Sequence, residues 1–208
     1  IYSKTIFHEQ SVNGKDSNQI WTHPDMVGIQ FLNLQSKVSQ SFLKSIKQVD
    51  TFKLFSYEIK KEINSDSDLK KAFFQAVSNS SWANYGYLVV FEFSNALSVE
   101  MERLNQAFGI GIIKLNSNPY ESKIIYQPKY RDLDFTTIDK LCNLNKDYEK
   151  FIEQTEKILV AEEKYYKSTE KELNEFCDDY FTTDTEFVDY CKQRFIPIDD
   201  HESHVEGI

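Results

Sequence analysis

One stretch of sequence decides the fold: Phe-Lys-Leu-Phe-Ser-Tyr-Glu-Ile-Lys-Lys-Glu-Ile at positions 52–63. Its side chains alternate in character, and this predicts a β-strand because successive strand side chains point to opposite faces. One face carries Phe55, Tyr57, Ile59 and Ile63, and the other carries Ser56, Glu58, Lys60 and Glu62. The alternation therefore predicts that Glu58 and Lys60 project together from one side of a sheet.

The sequence around this strand predicts further strands and helices. Helices are indicated where apolar residues recur every third or fourth position, and strands where short runs are apolar or alternating. In chain order we predict strands over 4–12 and 26–32, a helix over 38–49, the strand 52–63, a helix from Asp68 to about Tyr85, a strand over 87–91, a helix over about 98–108, and strands over 110–115 and 123–127. This order is typical of an α/β fold with a mixed β-sheet flanked by helices.

Beyond Asp134 the pattern is helical throughout, and we treat residues 132–208 as an acidic helical extension of the core formed by residues 1–131. Side chains from Tyr148 to Tyr180 repeat at alternating spacings of four and three, which predicts one long helix. The apolar positions of this repeat include Ile152, Leu159 and Leu173. Two alternatives follow: the helix packs on the core of its own chain, or it forms a homodimer with a second copy.

The charge of the chain is distributed very unevenly. The net charge is −9, which by itself disfavours a nucleic-acid partner. Residues 1–131 hold 15 Lys/Arg and 12 Asp/Glu, a net of +3, whereas residues 132–208 hold 9 and 21, a net of −12. The first two-thirds of the chain therefore remain compatible with a polyanionic ligand.

Cysteine content and hydropathy indicate the compartment. The three cysteines, Cys142, Cys177 and Cys191, are odd in number and share no CxxC spacing, which favours reduced thiols over a disulfide framework or a zinc site. No apolar run approaches the roughly 20 residues that a membrane helix needs. We therefore expect a cytoplasmic protein with no membrane partner.

Asp25, Glu58 and Lys60 bring together the side chains that phosphodiester hydrolysis requires. Mg²⁺ or Mn²⁺ prefers oxygen ligands, so two carboxylates must converge on one point. Asp25 opens the second predicted strand, and Glu58 lies on the polar face of the third. Lys60 shares that face, where an ammonium group can orient water and stabilise negative charge in the transition state.

In this context the residues resemble a known family. Pro24-Asp25, followed by Glu58-Ile59-Lys60 on the next core strand, is similar to the signature of PD-(D/E)XK, or restriction endonuclease-like, nucleases. Within that superfamily, WTHPDMVG at 21–28 and SNSSWA at 78–83 resemble the bacterial HrgA-type restriction-associated proteins. The resemblance covers roughly residues 3–116.

The resemblance implies a restriction endonuclease-like core and a Mg²⁺- or Mn²⁺-dependent endonuclease that acts on DNA, most simply double-stranded, in restriction or defence. It assigns Asp25 and Glu58 to the metal, Lys60 to the attacking water and Gln75 to an assisting role. Glu9 is a further metal-ligand candidate, since such nucleases often use another acid from the N-terminal region. HrgA-type chains also carry an upstream winged helix-turn-helix domain, and the start at Ile1 agrees with that expectation.

Each candidate residue also has a plainer structural explanation. Asp25 is alternatively a turn residue after Pro24, and Glu58 with Lys60 an exposed ion pair. Glu9 and Gln75 are alternatively solvated polar residues. Five lysines flank the predicted cleft and are suited either to phosphate contacts or to an ordinary charged surface: Lys44, Lys47, Lys61, Lys70 and Lys71. A catalytically inactive module that binds nucleic acid or protein through the same fold is the alternative function.

Overall fold

The computed structural model describes residues 1–7, 11, 23–45, 51–162 and 164–196. The alternating stretch 52–63 forms strand β3 (Phe52–Ile63) over its full predicted length. It lies in a six-stranded sheet whose spatial order follows the order of the chain. The other strands are β1 (Tyr2–Thr5), β2 (Met26–Phe31), β4 (Tyr85–Phe93), β5 (Gly111–Lys114) and β6 (Lys123–Tyr126).

Both parallel and antiparallel pairs occur in this sheet. The β3–β4 and β4–β5 pairs are parallel, and the remaining neighbours are antiparallel. The helices of the described ranges are α1 (Lys37–Ser45), α2 (Asp66–Asn79), α3 (Ser98–Phe108), α4 (Phe135–Leu144), α5 (Lys146–Val160), α6 (Tyr166–Phe176) and α7 (Asp184–Gln193). The predicted α/β class, with a mixed sheet flanked by helices, is confirmed.

Helices α2 to α6 pack on one face of the sheet. Because residues paired across strands share a face, Leu54, Glu58 and Leu88 project from the same side. Helices α4 to α6 cover the β2 end of this face and bury Leu54 in a cluster with Phe151 and Leu173. Helices α2 and α3 cover the β4–β5 end in a second cluster around Leu88. Glu58 is thus a carboxylate on the helix-covered side of the sheet.

Strand β1 is hydrogen-bonded to helix α6 and to Asp178, which follows this helix. The backbone N–H of Asp178 donates to the carbonyl of Ser3 at 2.8 Å. The Asp178 carboxylate accepts hydrogen bonds from the backbone and the hydroxyl of Thr5 at 2.6 and 2.7 Å. The Tyr2 hydroxyl donates to Glu170 at 2.7 Å. The N-terminal strand and the C-terminal helices therefore meet at one edge of the sheet.

The prediction of one long helix from Tyr148 to Tyr180 is wrong. Helix α5 ends at Val160, and α6 begins at Tyr166 after a turn in which the Glu162 carbonyl accepts from the Tyr165 amide at 2.8 Å. The two helices pack against each other. The four–three spacing marked Tyr148 and Leu173, which are buried, but also Tyr180, which is 72% exposed, and it did not include the buried Phe151 and Ile158. It also carries no information on whether one helix or two provide these positions.

The exposure of the repeat leucines differs within this hairpin. Leu173 is fully buried inside its own chain, whereas Leu159 is 41% exposed. The homodimer stays a prediction.

None of the helices in the described ranges combines the length and apolar character that a membrane span requires.

Three further predictions need correction. Helix α2 is capped by Ser65, whose hydroxyl accepts from the Asp68 amide at 3.1 Å, so Asp68 lies inside the first turn. The helix ends at Asn79 rather than near Tyr85, since the chain must turn to enter β4. Ile63, predicted to share the face of Phe55, packs instead in the cluster of α2 and α3.

The first predicted strand differs from the structure, and part of the first predicted helix cannot be compared with it. Strand β1 covers Tyr2–Thr5 instead of 4–12, and Ser11 forms an isolated bridge with Asn145. Residues 8–10 and 12, like Ile46 and Val49 of the first predicted helix, lie outside the described residues.

Candidate active site

Asp25, Glu58 and Lys60 lie together where β2 meets β3. The Asp25 amide donates to the Tyr57 carbonyl at 3.1 Å, which places Asp25 across from Glu58 at the start of β2. The Asp25 Oδ2 accepts from the Ile59 amide at 2.7 Å. The Lys60 Nζ lies 2.6 Å from Glu58 Oε1. The predicted convergence of these three side chains is present in the structure.

Glu58 is a buried carboxylate and only 1% exposed. Its second oxygen, Oε2, accepts from Asn79 Nδ2 at 2.9 Å. Burial raises the pKa of the Glu58 carboxyl above its ordinary value, and the negative charge of Asp25 raises it further. Hydrogen bonds from Lys60 and Asn79 act in the opposite direction. A second positive charge next to Asp25 and Glu58 would relieve the repulsion between them.

This raised pKa predicts a stability effect for Glu58→Gln. A group whose pKa is raised on folding favours the folded state below its unfolded pKa, and this contribution is lost as the pH rises through the folded pKa. The substituted glutamine cannot ionise, and its carbonyl oxygen can keep the Asn79 bond while the partly exposed Lys60 turns to solvent. We therefore expect Glu58→Gln to raise Tm at neutral pH, and at this chain length each kcal/mol gained corresponds to about 2–4 °C.

Thermal melts between pH 4 and 8 in EDTA test this expectation. The Tm difference between Glu58→Gln and wild type should grow as the pH rises above the ordinary carboxyl range. Glu62→Gln is the control, because Glu62 lies on the same strand but is exposed, and substitutions at exposed positions usually change stability by about 0.5 kcal/mol or less. A Tm of Glu58→Gln that lies below wild type at every pH would contradict the prediction.

The structure gives different results for the other residues predicted to lie in or near the site, namely Gln75, Glu9 and Lys70. Gln75 is buried on α2, one turn before Asn79, so it faces the sheet side of the helix and not the solvent. Glu9 lies outside the described residues, and its metal role stays a prediction. Lys70 forms an ion pair with Asp66 at 2.6 Å on the surface of α2. This contact agrees with the interpretation of Lys70 as part of an ordinary charged surface.

The donor set suits a hard divalent cation. Both acids offer carboxylate oxygens, the ligands that Mg²⁺ and Mn²⁺ prefer. The backbone carbonyl of Ile59 points to the β2 side of β3, as does the Ile59 amide that donates to Asp25. This follows because the N–H and C=O of one strand residue point toward the same neighbouring strand. Within the described ranges, no group of three or more His, Cys, Asp or Glu side chains forms a metal site. Among the described residues, Asp25 and Glu58 would therefore hold a cation together with backbone, water or substrate oxygens, and Glu9 stays a candidate ligand.

Asn79 was not assigned a role from the sequence. Its amide contacts Glu58 directly, and its carbonyl accepts from the Ser56 hydroxyl at 3.0 Å. The signal was available in the spacing, because Asn79 follows Gln75 by four residues and a helix presents such a pair on one face.

A second polar group that the sequence did not indicate lies beside the entry to β2. His23, two residues before Asp25, is fully buried, and its Nε2 lies 2.9 Å from the Ser11 hydroxyl. Asn145 Nδ2 donates to the same hydroxyl at 2.9 Å, and its Oδ1 caps helix α5 at the Asp147 amide. These contacts connect the start of α5 to the segment that carries Asp25.

Comparisons with protein-family models, curated proteins and solved structures give no match for this chain. The chemistry of the site itself is therefore the basis for a functional assignment. Its distinguishing property is a buried carboxylate that neighbours a second carboxylate and a partly exposed lysine.

Proposed function

We propose that this chain is a divalent-metal-dependent endonuclease of the PD-(D/E)XK type, which hydrolyses phosphodiester bonds of DNA in restriction or defence. The observation that supports it best is the convergence of Asp25, Glu58 and Lys60 at the β2–β3 junction. Burying Glu58 beside another acid costs free energy. A protein retains such an arrangement most readily where the carboxylates serve a function.

Each residue has a role that its contacts allow. Asp25 and Glu58 would hold the cation, which when bound supplies a more acidic water and neutralises phosphate charge. Lys60 keeps part of its side chain in solvent, with 29% exposed, so its ammonium group can reach a phosphate or a water molecule. Gln75 would assist from the buried face of α2.

The surface around the site is compatible with DNA as the substrate. The acidic excess of the chain lies entirely in residues 132–208, and residues 1–131 carry a net charge of +3. Lys71 on α2 is exposed, and so is Lys61, which follows Lys60 on β3 and projects from the opposite face of that strand. Such lysines contribute phosphate contacts whose strength falls as salt concentration rises.

One observation favours the alternative of an inactive binding module. Both oxygens of Glu58 already accept hydrogen bonds, one from Lys60 and one from Asn79. A carboxylate satisfied in this way can serve as a buried structural ion pair without a cation. The acidic helices would then be the surface that receives a basic protein partner.

Cleavage assays with the purified chain test the proposed activity. We expect plasmid DNA to be nicked or linearised with Mn²⁺ or Mg²⁺, and EDTA to abolish the reaction. Single-stranded DNA and RNA are assayed beside it, and cleavage of RNA alone would assign the chemistry to RNA. Intact plasmid, single-stranded DNA and RNA, also with any upstream domain present, would refute the nuclease.

Calorimetry separates the nuclease from the inactive module. The nuclease should bind Mn²⁺ in a manner that requires both Asp25 and Glu58, so Asp25→Asn and Glu58→Gln should remove the binding heat. The inactive module should show no Mn²⁺ binding that depends on these residues.

A further inference from the structure

We infer that Asn79 is a positioning residue that fixes the Glu58 carboxylate in the orientation in which it binds metal, an inference that rests on the proposed function. Asn79 is the last residue of α2 and is 1% exposed. Its Nδ2 lies 2.9 Å from Glu58 Oε2, while Lys60 Nζ lies 2.6 Å from Oε1. With one donor on each oxygen, the plane of the carboxylate is fixed.

The position of Asn79 is itself held by two buried donors. Its backbone carbonyl accepts from the Ser56 hydroxyl at 3.0 Å and from Trp82 Nε1 at 2.8 Å. Ser56 lies two residues before Glu58 on the same face of β3. The same strand therefore positions both the C-terminal end of α2 and the Glu58 carboxylate. Gly86 allows the end of α2 to lie close to β4, because a Cβ at this position would collide with Ser80, the residue after Asn79.

An amide is suited to this position because it donates a hydrogen bond without adding a charge. Lys60 partly neutralises Glu58, and a second cationic side chain at the position of Asn79 would compete with a metal ion for the carboxylate. The neutral Asn79 orients the carboxylate and leaves its attraction for a cation intact. Removing a partner that orients a metal ligand typically lowers metal affinity by about 10–100-fold.

Mn²⁺ titration calorimetry on the full chain, comparing Asn79→Ala with Ser56→Ala, tests the inference. Both variants remove a buried hydrogen bond at the same helix end, but only Asn79→Ala removes the bond to Glu58. We expect Asn79→Ala to weaken Mn²⁺ binding by about 10–100-fold. Ser56→Ala should lower Tm but weaken Mn²⁺ binding much less than Asn79→Ala, because Trp82 still donates to the Asn79 carbonyl and the bond from Asn79 to Glu58 remains. A purely structural role would instead give both variants the same ratio of Tm loss to affinity loss.

The failures of the two proposals are distinguishable. Equal Mn²⁺ affinity of wild type and Asn79→Ala would overturn the role of Asn79 and leave the nuclease proposal in place. A wild-type protein that binds no Mn²⁺ would overturn both.

A metal-free measurement decides the case in which Asn79→Ala does not fold. Hydrogen exchange of the Asn79 side-chain amide, followed by NMR, should be slow in wild type and fast in Glu58→Ala. Exchange at the same rate in both proteins would show that the amide does not hold the carboxylate, and would overturn the inference.

Discussion

Asp25→Asn, Glu58→Gln and Lys60→Met should each lower metal-dependent DNA cleavage by about 10²–10³-fold while the protein stays folded. The first two substitutions keep the shape of the side chain and remove a charge that the proposed site uses to hold the cation. The asparagine that replaces Asp25 can still accept the hydrogen bond from the Ile59 amide, so the β2–β3 junction should survive. The methionine that replaces Lys60 keeps most of the aliphatic length of lysine but cannot stabilise negative charge on a phosphate.

Single-turnover cleavage rates at the Mn²⁺ concentration that saturates the wild type, with Tm measured on the same samples, provide the test. Glu62→Gln is the matched control, since it removes one carboxylate from the same strand at an exposed position. It should cleave at the wild-type rate. If Asp25→Asn or Glu58→Gln cleaved as fast as this control, any activity of the chain would have to come from another site.

Leu173→Ala should destabilise the whole protein by about 2–5 kcal/mol, the usual cost of truncating a buried leucine. Leu173 is fully buried in the cluster that also contains Val27, Ile29 and Leu54 of the sheet. The cavity would therefore weaken the contact between α6 and the strands that carry the site. Urea unfolding followed by tryptophan fluorescence measures the loss, because Trp82 lies in the same cluster.

Leu159→Ala is the control within the same helical hairpin. Leu159 is 41% exposed, and substitutions at exposed sites usually change stability by about 0.5 kcal/mol or less. A similar loss in both variants, or a separate early transition in Leu173→Ala, would mean that the helices unfold independently of the sheet. Light scattering of the two variants also tests the homodimer, because of these two leucines only Leu159 is accessible from outside.

Features that depend on local sequence were predictable. Strand β3 and helix α3 match their predicted ranges, because side-chain alternation and a 3.6-residue period are properties of the segment itself. The shared face of Glu58 and Lys60 follows from the same alternation. Their approach to Asp25 followed from the resemblance, which provided the pairing of β2 with β3 that no single segment specifies.

Features that depend on packing were not predictable in this way. The break between α5 and α6 was missed because both helices present their apolar residues at the spacing of one continuous helix. The contact between Asn79 and Glu58 joins residues from a helix end and a strand, and it exists only once α2 has packed on the sheet. The cap of α2 was misplaced by three residues, since Ser65 and Asp68 bond to each other and both types favour caps.

The fastening of Asp178 to β1 also has a consequence for the order of folding. Its bonds to Lys4 and Thr5 span 174 and 173 residues of sequence, and the Tyr2–Glu170 bond spans 168. During synthesis, β1 leaves the ribosome long before Glu170 of α6 and Asp178, which follows α6, have been made. Because contacts of high sequence separation slow folding, we expect completion of this sheet edge to be a late step. Strand β1 would then reach its final position beside β2 only after the acidic helices have been made.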